Sequence, residues 1–118
     1  NSGSRCGQMM KKLIKNASFR EQFICRYYEI VTVDFTPERL LSVLEPMLTE
    51  RDPLMPLQQA RWPHDGASVA TWNNQKPIMR QFAENRQAYA LKFLYASRSY
   101  TLLTEAQIRD IIAAHFGE

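Results

Sequence analysis

Two histidines and two cysteines are the side chains of this sequence best suited to nucleophilic or proton-transfer chemistry. His64 precedes Asp65 within Trp62-Pro63-His64-Asp65-Gly66, which suggests a base beside an orienting carboxylate. Adjacent loop residues seldom face each other, and no serine or cysteine nucleophile is placed next to them. An exposed loop pair is the better reading, and a small hydrolase built on His64 ranks last among the functions considered. His115 falls in the last turn of a helical pattern, where a cation complements the dipole. Cys6 and Cys25 show neither CxxC nor Cys/His zinc spacing, and two thiols make no disulfide scaffold. Cys25, between Ile24 and Arg26 in an apolar-periodic stretch, is expected to be a small buried side chain.

The acids stand singly, from Glu21 and Glu29 through Glu45, Asp52 and Glu84 to Glu105 and Asp110. No DxD, ExxE or HExxH spacing gathers them for magnesium, a di-metal centre or zinc. The four glycines, Gly3, Gly7, Gly66 and Gly117, lie too far apart to build a phosphate-cradling loop. No catalytic residue, cofactor site or metal site is therefore expected in this chain.

Arginines alternate with aromatics at Arg26-Tyr27-Tyr28, Arg61-Trp62 and Arg80-Gln81-Phe82. Such an alternation can serve nucleic acid, with rings to stack and guanidinium groups to pair with phosphates. These aromatics fall at the helical core period, so core packing with arginines stacked at its edge is preferred. The net charge of +3 is concentrated in residues 1–20, which carry Arg5, Lys11, Lys12, Lys15 and Arg20 without one acid. That leading segment, about residues 1–15, is expected to be a solvated lead-in. Nucleic acid or anionic lipid is the alternative partner for it. The opening Asn1-Ser2-Gly3-Ser4 resembles an added expression leader. Met9-Met10 and Leu13-Ile14 are too short and too lysine-interrupted for a signal peptide, and nothing approaches the ~18 apolar residues of a membrane span.

The elements that would position these residues are helical almost throughout. Phe19, Phe23, Tyr27 and Ile30 recur on one helix face, with Asn16 or Ser18 as its cap. The β-branched run Ile30-Val31-Thr32-Val33 weakens the end of that helix. Thr36-Pro37-Glu38 is a strong start signal, and Leu40, Leu41, Leu44, Met47 and Leu48 supply the apolar face that follows. Pro46 predicts a kink or an early end, and Asp52-Pro53 predicts a fresh cap and a short helix near 53–61. After the loop, Ser68 opens a stretch that Pro77 divides. Ile78, Phe82, Tyr89 and Phe93 then mark a long helix near 78–97. Thr104-Glu105-Ala106-Gln107 fits a capping box before Ile108, Ile111 and Ile112.

At 118 residues and 45% hydrophobic content, one domain with one core is the expectation. The fold class is all-α: a single compact bundle of five or six short-to-medium helices, with residues 16–118 as the helical domain.

Five pieces in register carry a family resemblance: Arg20-x-x-Phe23-Ile24-x-Arg26, Phe35-Thr36-Pro37-Glu38-Arg39, Arg61-Trp62, Trp72, and Arg80-x-Phe82-Ala83-Glu84-Asn85-Arg86. Over about residues 12–95 the chain resembles the C-terminal part of the spore-coat protein H (CotH-like) family of atypical protein kinases. Val33-Asp34 and Gln87 depart from the usual pattern, and residues 97–118 match none of it. The resemblance implies a bacterial parent of the spore coat or cell envelope, an ATP-dependent protein kinase that uses ATP and a divalent metal. The nucleotide- and metal-binding residues of that family lie N-terminal to the matching region, so none carries over to this chain. By resemblance the chain is a non-catalytic helical subdomain that supports the catalytic lobe or docks a protein partner. Its partners are then the rest of the parent chain or another protein. Arg26, Arg61, Trp62, Trp72, Phe82 and Arg86 match family positions and are expected to be architectural: tryptophans and Phe82 filling the core, arginines pairing across helices. Substrate docking by Arg61-Trp62 is the sharper alternative. The alternative for the whole chain is a free-standing helical interaction module that binds nucleic acid through its basic leading segment.

Overall fold

Five polar side chains each accept a backbone N–H three residues onward, and each opens a helix; one is Ser68, which accepts from Thr71 at 3.0 Å. Ser4 accepts from Gly7 at 3.0 Å, Asn16 from Phe19 at 3.1 Å, Thr36 from Arg39 at 3.3 Å and Thr104 from Gln107 at 3.3 Å. Gln107 Oε1 in turn accepts the Thr104 N–H at 2.9 Å, which completes the capping box. The computed structural model describes residues 3–64 and 68–117. Asn1, Ser2, Asp65, Gly66, Ala67 and Glu118 lie outside the described residues. The His64-Asp65 pairing, Gly66 and half of the suspected leader fall there.

Among the described residues the chain is all-α. The helices are α1 (Arg5–Leu13), α2 (Ala17–Glu29), α3 (Pro37–Arg51), α4 (Met55–Arg61), α5 (Val69–Tyr95), α6 (Arg98–Thr101) and α7 (Glu105–Phe116). Six of them exceed a single turn. A π-helical turn, Ile30–Asp34, follows α2, where four β-branched residues crowd the α-helical ladder. It is wound as helix, not extended as strand.

Two expected breaks do not occur. α3 continues through Pro46 to Arg51, and α5 continues through Pro77, so the long helix begins at Val69 instead of near 78. Each proline removes one backbone bond and strains the turn before it, at about 3 kcal/mol. Asp52 does not cap a helix either. It follows α3 directly, and the 3₁₀ turn Asp52–Leu54 has no side-chain cap.

The helices group as two compact units, residues 1–33 with 88–118 and residues 34–87. In the first unit α2 packs on α7, and Ile24, Leu94, Leu103, Ile108 and Ile112 form the buried cluster. Phe23, Tyr27, Tyr28 and Ile111 close around it. Tyr27 Oη donates to the Ala90 carbonyl at 3.1 Å, so its one polar atom is satisfied where the ring is half-buried. In the second unit Leu48 of α3 and Ala83 of α5 are buried.

α5 turns a different face inward than its aromatic spacing predicts. Ala83, Ala90 and Leu94 are buried, whereas Ile78, Phe82, Tyr89 and Phe93 are more than half exposed. The rings on the neighbouring face are left outside.

Candidate functional site

The 34–87 unit carries the densest set of directed polar contacts. Trp72, Lys76 and Arg80 follow one another at four-residue spacing along α5 and so share a face. Opposite them stand Glu45 of α3 and Asp52 at the head of the 3₁₀ turn. Arg80 Nε donates to Glu45 Oε1 at 2.6 Å and Arg80 Nη2 to Glu45 Oε2 at 3.2 Å, a bidentate pair. Asp52 Oδ1 accepts the Trp72 indole N–H at 2.5 Å and the Lys76 ammonium at 2.9 Å.

The ionisation of these groups follows from their donors. Glu45 is held below its ordinary 4.5, first by the hydrogen bond from Arg80 and then by the charges of Arg80 and Lys76. Asp52 is held below 3.8, first by the Trp72 bond and then by Lys76. Arg80 is raised by the same partnership with Glu45. Both carboxylates are thus ionised at neutral pH, with Asp52 Oδ1 and both Glu45 oxygens accepting from α5. A carboxylate in that state is a weak general base. What the arrangement does is brace α3 and the 3₁₀ turn against α5 on either side of Pro77.

A second cluster lies in the other unit. Ser18, Glu21, Gln22, Cys25, Arg26, Glu29 and His115 line an open depression of about 450 Å³. His115 Nε2 lies 2.8 Å from Glu21 Oε1, tying the last turn of α7 to α2. The Cys25 thiol is pushed up, chiefly by burial and then by the negative charge of Glu21. A thiol shifted that way stays protonated and is a poor nucleophile, despite a histidine and a carboxylate nearby. Among the described residues no three His, Cys, Asp or Glu side chains gather so as to hold a metal ion.

The family-matching side chains are placed differently from expectation. Phe82 is 62% exposed and Trp62 48% exposed, so neither fills the core, and Trp72 is half-buried. Arg26 pairs with Glu29 inside α2 at 3.2 Å, the Arg61 guanidinium sits 5.5 Å from the Trp62 ring, and that of Arg86 sits 5.5 Å from the Phe82 ring. All three contacts are local, not across helices. Cross-helix pairing belongs to Arg80, with Glu45 and Asp52 as the residues that sequence reasoning missed. The signal was present: two acids seven residues apart face donors at four-residue spacing. Nothing in the sequence alone, however, sets the register between α3 and α5. His64 is exposed, and its suggested partner Asp65 lies outside the described residues.

Residues 5–90, well over half of the chain, match the family model described as CotH kinase protein. The chain belongs to the CotH kinase protein family. The match includes both members of the Glu45–Arg80 pair, the Asp52–Trp72–Lys76 cluster and all six residues of the sequence resemblance. It stops before α6 and α7. None of the curated proteins and none of the solved structures matches this CotH-family chain significantly. No helix among the described residues is long and apolar enough to cross a membrane.

Proposed function

We propose that this chain is a non-catalytic helical part of a CotH-like atypical kinase, which supports the catalytic lobe or docks a protein partner. The observation that carries the reading is the engagement of Glu45 and Asp52. The two acids whose ionisation is most clearly lowered are engaged by Arg80, Trp72 and Lys76 of the same unit. Phosphoryl transfer asks for acids free to hold a metal around ATP and a lysine free to hold phosphate. Here those residue types act as struts. In this proposal ATP and its divalent metal belong to residues outside this chain.

The exposed apolar side chains support the docking half of the reading. Trp62 at the end of α4 is half exposed with Arg61 stacked on it, an aromatic-arginine pair of the sort that anchors protein interfaces. Arg26 and Trp72 are assigned architectural roles.

Thermal unfolding of the full chain, titrated with ATP and magnesium or manganese, tests the proposal. Binding to the native state raises the transition in a saturable way. The proposal expects no such rise. A saturable, metal-dependent rise overturns it.

A further inference from the structure

We propose that α1 is an interfacial helix that docks on an anionic lipid surface. The helix is nine residues long, about 14 Å, and its apolar and cationic side chains are segregated around it. Met10 and Ile14 point inward, and Ile14 is buried. Met9 and Leu13, one turn apart, are 60% and 42% exposed, with Cys6 exposed one turn before Met9 and Met10. Arg5 and Lys12 flank this ridge, and Lys11 and Lys15 continue the cationic side. None of these four cations forms an ion pair among the described residues. The first acid in the sequence is Glu21.

The helix is held in place from its own C-terminus. Arg20 Nη1 donates to the carbonyls of Ile14 at 3.3 Å and Lys15 at 3.2 Å, which occupies carbonyls that the helix end leaves open. Arg20 is thereby committed to fixing α1, and Arg5, Lys11, Lys12 and Lys15 remain available to a ligand.

Charge and shape together select the occupant. Four unpaired cations on one side of the helix suit an anionic partner. The exposed ridge beside them requires one that also accepts aliphatic side chains. Nucleic acid satisfies the first condition, but it is bound by cations together with stacking rings, and α1 carries no aromatic residue. A folded protein partner needs roughly 800 Å² on each side for a stable contact, more than three exposed side chains of so short a helix provide. A bilayer needs only shallow insertion of Met9 and Leu13 with lysines at headgroup level, and its affinity comes mainly from the anionic lipid.

The test is co-sedimentation of the full chain with vesicles of phosphatidylcholine, alone and mixed with phosphatidylserine. The expected result is at least about tenfold stronger binding to the anionic vesicles at low salt, weakening as salt rises. Lys11→Glu with Lys12→Glu should lower it about tenfold or more. Met9→Gln with Leu13→Gln keeps every charge and should lower it at least about fivefold. Met9→Gln alone should lower it by less, and thermal unfolding of each variant verifies that the fold is intact. Equal binding to both vesicle types, no binding, or indifference to the Met9 and Leu13 changes overturns the proposal. Tighter binding to a short DNA duplex than to the anionic vesicles also overturns it, in favour of nucleic acid.

Discussion

Arg80 and Glu45 meet through two parallel hydrogen bonds, 2.6 Å and 3.2 Å long, that fasten α5 to α3. One turn earlier on α5 Lys76 reaches Asp52, and Trp72 reaches the same carboxylate oxygen from a further turn back. Pro77 lies between these anchors, and α5 continues through it.

Acid should loosen the brace. Glu45 and Asp52 have folded-state values below their ordinary 4.5 and 3.8, so each releases its proton more readily folded than unfolded. Their contribution is fully present above those ordinary values and drains away as pH falls through the lower folded ones. Urea midpoints measured across that window should decline, and Glu45→Gln combined with Asp52→Asn should flatten the decline. An equally steep decline in the double variant contradicts the assignment.

Core and surface should separate cleanly on truncation. Ile24 is fully buried at the centre of its cluster, and Ile24→Ala should cost about 2–5 kcal/mol in chemical denaturation. Phe82, despite its size and helical spacing, should cost under about 1 kcal/mol as Phe82→Ala, because most of its ring already faces water. Comparable losses at the two positions would place Phe82 in a core after all.

The start of α7 rests on a reciprocal pair. Thr104→Ala removes the acceptor for the Gln107 N–H and should destabilise the chain by about 1 kcal/mol in the same assay, with Thr104→Ser restoring most of it. An alanine variant as stable as the parent would show that the cap contributes nothing.

The two cysteines should differ in reactivity. Cys6 is exposed, whereas Cys25 is partly buried with its thiol shifted upward. Alkylation near neutral pH, followed by mass spectrometry of the modified peptides, should find Cys6 labelled first and Cys25 far more slowly. Faster labelling of Cys25 would point to an activated thiol beside His115.

Local signals in the sequence were legible. The caps at Asn16, Thr36 and Thr104 and the helical class follow from short-range spacing, and short-range chemistry governs where helices start. Facing was not legible. The stripe Ile78, Phe82, Tyr89, Phe93 and the stripe Ala83, Ala90, Leu94 have the same helical period, and only packing decides between them. The large rings suggested the wrong one, because ring size says nothing about which face the neighbouring elements cover. Proline was over-read for a related reason: Pro46 and Pro77 each cost a local bond, yet α3 and α5 continue through them. The Asp52 carboxylate illustrates both effects, since its position before Pro53 has the form of a cap and its actual donors are Trp72 and Lys76.

The central claim is that the polar groups of this chain serve architecture, not phosphoryl transfer. Incubation of the full chain with ATP labelled on its terminal phosphate, manganese or magnesium and a generic protein acceptor tests it most directly. The account predicts no label above the protein-free blank, on the chain or on the acceptor. Label that scales with the amount of chain and disappears in Asp52→Asn would contradict it.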